Sequence, residues 1–287
     1  MAFRVNPIAI LLTLLGLLTT PTRAADPPTL RLSWKNNILT VSGPTLPGRD
    51  LKILYIEAYC RPGSTDRDWR ETVIPHTAEL LEAASDGKLI KLRDKLADGV
   101  VVEHTIIAKA DEIDFRLTAK NPTGKASRAH WAQPCTRVDQ FTGTTKSDAR
   151  ELVPLYARKC FLFIDGQLTR LPTTPWAEKA RYIPGQVYAA PGVDRNDVNP
   201  RPLSSLTPSN GLCGCFSSDE RQIMAIAWEP YQEIFQGVIA CIHSDFRIGG
   251  LAAGETKQIR GKLYIVPADV PALLKRYHRD FPEQSPK

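Results

Sequence analysis

What the sequence lacks narrows it first. Beyond the N-terminus no apolar run approaches the roughly 20 residues needed to cross a hydrocarbon layer, so no membrane span is expected in the mature chain. Lysine and arginine, 37 together, are scattered among 31 acids to a net charge of +6, with no basic run and no ladder of aromatic and basic residues. That pattern excludes nucleic acid as a partner. A closed zinc site uses two Cys-x-x-Cys or His-x-x-x-His arms, and five dispersed histidines with a single Cys-x-Cys supply neither. No metal and no cofactor is therefore expected. Phosphate loops, dinucleotide fingerprints and Ser or Cys nucleophile motifs are all missing. The "DRNDVN" stretch at 194–199 has oxygen ligands without the spacing of a calcium loop, and reads as a solvated turn.

The N-terminus itself is informative. Arg4 precedes an apolar run from Ile8 to Leu18, followed by Pro21 and small residues at Thr22 and Ala24, the form of a secretory signal spanning 1–24. A secreted or periplasmic protein follows, with one domain over 25–287. All six cysteines (Cys60, Cys135, Cys160, Cys213, Cys215 and Cys241) lie beyond the signal, and an even number in an exported chain favours disulfides. On a strand Cys213 and Cys215 would point the same way, towards separate partners, with Cys160 and Cys241 as natural candidates. Buried free thiols are the alternative.

Hydrophobic period two dominates residues 30–266. Asn36-Asn37 divides a hairpin, and Asp86-Gly87 and Asp98-Gly99 punctuate an antiparallel meander in which Val102, His104 and Ile106 alternate with Val101, Glu103 and Thr105. "QIMAIAWEP", "EIFQGVIACIHS" and "TKQIRGKLYIV" read as later strands. A short helix is expected within "SDARELVPLYARKC", and residues 172–208, rich in proline, form a long ordered excursion too irregular for strands. Asp269 caps a final helix whose Val270, Leu273, Leu274 and Tyr277 share a stripe. The fold class is mainly β: a large antiparallel β-sandwich with a C-terminal helix.

The polar and aromatic mixture "HWAQPCTRVDQFTG" at 130–143 suits a saccharide, since an aromatic face packs on ring C–H groups while amide and guanidinium groups satisfy hydroxyls. His130, Trp131, Gln133 and Arg137 are the candidates there. The alternative is a core Trp131, a satisfied interior His130 and an Arg137–Asp139 pair. Arg61 and His76, at the ends of the polar loop "YCRPGSTDRDWRETVIPH", would reach His130 if Cys60 and Cys135 lay close together. Glu103 faces away from the apolar side of its strand and is a candidate carboxylate, whereas His104 reads as core. His243 shares a face with Cys241.

Two segments, "DFRLTAKNPTGKASRAHWAQP" at 114–134 and "GGLAAGETKQIRGKLYIV" at 249–266, resemble the galactose-mutarotase-like β-supersandwich of aldose epimerases. The resemblance implies a supersandwich fold and puts His130 at a sugar site. It departs after His130, where Trp131-Ala132-Gln133 replaces the Pro/Ser-Tyr-Phe-Asn run of epimerases. "YCRPGSTDRDW" and "HWAQPCTRVDQFTG" also resemble a class of exported bacterial proteins. Three functions are compatible: a carbohydrate-binding protein whose partner is a saccharide or polysaccharide, an epimerase or glycan-processing enzyme using His130 with a carboxylate or second histidine, and a structural protein of the cell envelope.

Overall fold

The computed structural model describes residues 1, 29–145, 153–175, 187–199, 202–237 and 239–284. The signal segment lies outside them. In chain order the elements begin with β1 (Arg31–Lys35), β2 (Ile38–Ser42) and β3 (Asp50–Cys60), then α1 (Trp69–Thr72) and β4 (Val73–Ile74). The meander follows as β5 (His76–Ala83), β6 (Leu89–Leu96), β7 (Val101–Ala108) and β8 (Glu112–Lys120). Next come β9 (Trp131–Arg137), α2 (Asp139–Thr142), α3 (Leu155–Lys159), β10 (Cys160–Ile164), β11 (Gln167–Arg170) and β12 (Val187–Ala189). The chain continues through β13 (Cys213–Phe216), β14 (Gln222–Glu229), β15 (Tyr231–Gly237), β16 (Cys241–Arg247), β17 (Thr256–Pro267) and α4 (Val270–Asp280).

These strands form two antiparallel sheets, one of eight strands in the order β1-β2-β3-β9-β16-β15-β12 with β4 on β3, and one of nine in the order β11-β10-β13-β14-β17-β8-β7-β6-β5. Local chemistry accounts for the hairpins. Asn36 and Asn37 both take positive φ, 51° and 61°, as a two-residue type I′ turn requires. Gly87 and Gly99, at 72° and 95°, occupy positions where a side chain would be strained. Alternation then sends Val102, His104, Ile106 and Ala108 inward from β7 and Ile113, Phe115, Leu117 and Ala119 inward from β8, onto Leu39, Val41, Ile53 and Tyr55 of the facing sheet. Each such apolar side chain contributes about 1.5–3 kcal/mol on burial.

His104 is a core histidine. Its Nδ1 lies 2.9 Å from Tyr55 Oη, and its Nε2 lies 3.2 Å from Asp94 Oδ2, which also accepts from Tyr59 Oη at 2.6 Å. On the outside of the nine-stranded sheet, α4 lays Leu273 and Tyr277 on Phe161, Phe163, Ile223 and Tyr264, and Asp269 accepts from Ala272 N at 2.9 Å as its cap.

Three expectations are corrected. None of the six cysteines stands at disulfide distance from another, and all are buried thiols. They are divided between faces: Cys160, Cys213 and Cys215 point into the core between the sheets, with Cys160 directly opposite Cys215 and unbonded, while Cys60 packs with Ala58 and Trp131 on the other side of the eight-stranded sheet. Cys60 pairs with Trp131 and Cys135 with Leu54, so three residues of β9 lie between the partner of Cys60 and Cys135. The run "EIFQGVIACIHS" is a hairpin, not one strand, because Ala240 turns the chain with φ 53° between β15 and β16. The proline-rich excursion, where it is described, supplies β12, which pairs with β15.

Candidate functional site

The eight-stranded sheet has a second, polar face. The strand registers align four rungs across β3, β9, β16 and β15: Cys60, Trp131 and Arg247; Ala58, Gln133, Asp245 and Glu233; Cys135, His243 and Phe235; Arg137, Cys241 and Gly237. Period two explains why Trp131, Gln133, Cys135 and Arg137 emerge together while Ala132 turns into the core.

A strap of the excursion lies over this face. Asp197 receives Gly63 N on Oδ1 at 3.2 Å, and its Oδ2 lies 3.2 Å from both His130 Nδ1 and Arg247 Nη1. Gln232 Nε2 donates to the Asp197 carbonyl, and Ser64 Oγ donates to the Val198 carbonyl. Asn199 donates through Nδ2 to Gln133 Oε1 at 2.7 Å and through its backbone N to Glu233 Oε2 at 2.8 Å. Gln133 in turn donates to Glu57 Oε2 at 2.9 Å. The 194–199 stretch is thus a clamp, with Asp197 and Asn199 as buried keystones. The expectation of a solvated turn is corrected here, because Asp197 and Asn199 spend their polar atoms on the sheet face beneath them instead of on solvent.

The predicted residues separate into those that meet here and those that do not. His130 stands at the entrance to β9 with 24% of its side chain exposed; Asp197 accepts from or faces its Nδ1, and nothing among the described residues hydrogen-bonds Nε2. Gln133 is buried within the network. Trp131 is fully buried, its ring 6.2 Å from that of the half-buried Trp69. Arg137 is on the same face but donates to the Ile239 carbonyl at 2.8 Å, and no Arg137–Asp139 ion pair forms among the described residues. Arg61 straps its own loop, donating to the carbonyls of Glu71 and Val73 at 3.1 and 2.6 Å. His76 sits edge-on to Tyr59 at 5.0 Å, where burial pushes its pKa down despite Asp94 nearby. Glu103 is exposed on the other sheet and pairs with Arg93 at 2.8 Å. Neither His76 nor Glu103 belongs to the His130 network.

His243 lies further along the polar face in different company. Its Nε2 is 3.4 Å from Cys241 Sγ, and Phe235 stacks on its ring at 4.2 Å. Cys135 Sγ, Cys241 Sγ and a His243 nitrogen all lie within 4.8 Å of one another. A hydrogen bond from Cys135, with His243 alongside, holds the Cys241 thiol well below its ordinary pKa, and the same bond pushes Cys135 up.

No protein-family model and no curated protein matches the sequence. Among solved structures the chain is similar to a galactose mutarotase-like protein from Lactobacillus casei, at 10% identity over 82% of this chain and 99% of that one with a TM-score of 0.41. It is similar to a galactose mutarotase related enzyme from Lactobacillus acidophilus, at 9% identity over 82% and 97% with a TM-score of 0.41. It is also similar to an α-mannosidase from Enterococcus faecalis, at 9% identity over 90% of this chain and 30% of that one with a TM-score of 0.46. Galactose mutarotase-like proteins are therefore among the solved structures this chain is similar to.

Proposed function

We propose that this is an exported carbohydrate-binding protein whose ligand meets the polar face of the eight-stranded sheet around His130, Gln133 and Glu57. The observation that carries the reading is the chain Glu57–Gln133–Asn199–Glu233, two amides flanked by two carboxylates and already oriented by hydrogen bonds of 2.7 to 2.9 Å. With Gln133, Asn199 and Glu233 buried beneath it, the exposed Glu57 carboxylate is fixed to accept from ligand hydroxyls without a further ordering cost. Glu57 is exposed, His130 and Arg247 are each about a quarter exposed, and Trp69 rather than the fully buried Trp131 offers a partly open aromatic surface.

A glycan array with the full chain, followed by calorimetry on any hit, tests it. Glu57→Ala and His130→Ala should each weaken binding about tenfold to a hundredfold, the effect of about 1–3 kcal/mol for one lost polar partner. Trp131→Ala should instead cost about 3–5 kcal/mol of stability as a core truncation. Absence of any glycan hit, or unchanged affinity in both polar variants, overturns the assignment. Export is tested by the N-terminal sequence of the protein recovered outside the cytoplasm, which should begin near Ala25.

A second reading rests on the His130–Asp197 contact. A carboxylate facing Nδ1 leaves Nε2 as the basic atom, the arrangement of an oriented general base. In an epimerase or glycan-processing enzyme, His130→Ala would abolish anomer exchange or reducing-sugar release while leaving much of the affinity.

A further inference from the structure

We propose that Cys135, Cys241 and His243 form a binding site for one closed-shell thiophilic cation, Zn(II) or Cu(I). The three side chains come from two neighbouring strands and are brought to one point by register: Cys135 lies beside His243, and Cys241 is the next residue of that face along β16. Their ligand atoms lie within 4.8 Å of one another, and the Cys241 Sγ to His243 Nε2 separation is 3.4 Å. Metal–sulfur bonds of about 2.3 Å and metal–nitrogen bonds of about 2.0 Å place tetrahedral ligand atoms roughly 3.6–3.8 Å apart. The thiols and imidazole therefore need only small movements to close on an ion. Two soft sulfurs and an imidazole select such cations over magnesium or calcium.

The surroundings are shaped for this. Opposite Cys241 the partner strand has Gly237, and a Cβ there would stand 2.2 Å from Cys241 Sγ and 3.2 Å from His243 Nε2. Glycine thus keeps open the space where the sulfur and the ring nitrogen converge. The other ring nitrogen, Nδ1, is buried without a hydrogen bond and faces Asp245 Oδ1 at 3.9 Å. A carboxylate behind the distal nitrogen of a ligating histidine orients the ring and raises its basicity. Phe235, stacked at 4.2 Å with an interplanar angle of 10°, restricts the ring further. None of the other four cysteines joins the group. Cys135, Cys241 and His243 are 1%, 1% and 2% exposed, so loading would accompany folding, and each ion bound would displace the two thiol protons.

The test uses the full chain, reduced and refolded either with a chelator or with one equivalent of Co(II), Zn(II) or, anaerobically, Cu(I). One equivalent should be retained after desalting, the cobalt form should show thiolate charge-transfer absorption in the near ultraviolet, and about two protons should be released per ion, counted from the unfolded reduced chain. Cys241→Ser and His243→Gln should lower affinity at least tenfold, while Cys160→Ala, in the core, should leave it unchanged. If the two ligand variants fail to fold, the wild-type stoichiometry, the cobalt spectrum and a melting temperature that rises with metal concentration still decide the matter. Failure of the wild-type chain to retain any of the three ions, full retention in both ligand variants, or an obligatory Cys135–Cys241 disulfide in the isolated protein would overturn the proposal.

Discussion

Three cations converge on Glu112. Lys109 and Lys262 donate at 2.8 and 2.5 Å, Arg276 donates to the other oxygen, and the side chain is only 5% exposed. Burial alone would raise the carboxyl pKa, but these hydrogen bonds prevail and hold it at about 2, below the ordinary 4.5. A depressed folded pKa contributes stability that is complete above the unfolded value and is lost as pH falls towards 2. Glu112→Gln should therefore lower stability near neutrality and flatten its decline below about pH 4.5. Urea midpoints across that range measure this, and parallel curves for both proteins would refute it. Sequence could not reveal this role, since Lys262 and Arg276 are 150 and 164 residues away. His104 was legible because strand parity alone points it inward. Trp131 was not: sequence leaves it between a sugar platform and the core, because its burial on the polar face depends on Trp69 of α1 and Val73 of β4 packing over it.

At the scale of the element, α4 reads almost completely from sequence. The stripe of Leu273 and Tyr277 faces the sheet, and Asp269 caps the first turn. Asp269→Ala should cost about 1 kcal/mol, seen as a lower urea midpoint with an unchanged slope. Unaltered stability would mean that the packing of Tyr277, whose hydroxyl also accepts from Gly211 N at 3.2 Å, holds the helix without its cap. The β15–β16 hairpin was harder to read because its turn carries Ala240 at φ 53°, where turn chemistry predicts glycine or asparagine. β12 escaped detection for another reason. Three residues are too few to display a period, and they become a strand only because β15 offers an edge.

At the scale of the molecule, the sandwich was legible from alternation and turn residues, whereas strand order was not. Periodicity says which side of a strand is buried, not which strand lies next to it. The order has a physical cost visible in β17, which joins β14 to β8 and so connects the two halves of the nine-stranded sheet. A chain ending at Leu251 would leave β14 and β8 as unpaired edges and lack the helix that covers Phe161 and Phe163. Such a fragment should aggregate or be digested under conditions where the full chain resists protease; a soluble, resistant monomer would contradict this.

That central position of β17 also sets a timetable. A ribosome makes the β5–β8 meander early and β14 much later, and the strand that docks against both is made later still. Until it emerges, the two halves have no shared neighbour, and long-range pairings of this kind close slowly. The two parts of the nine-stranded sheet therefore stay unjoined until residue 267 has been made, and they close when β17 docks between them.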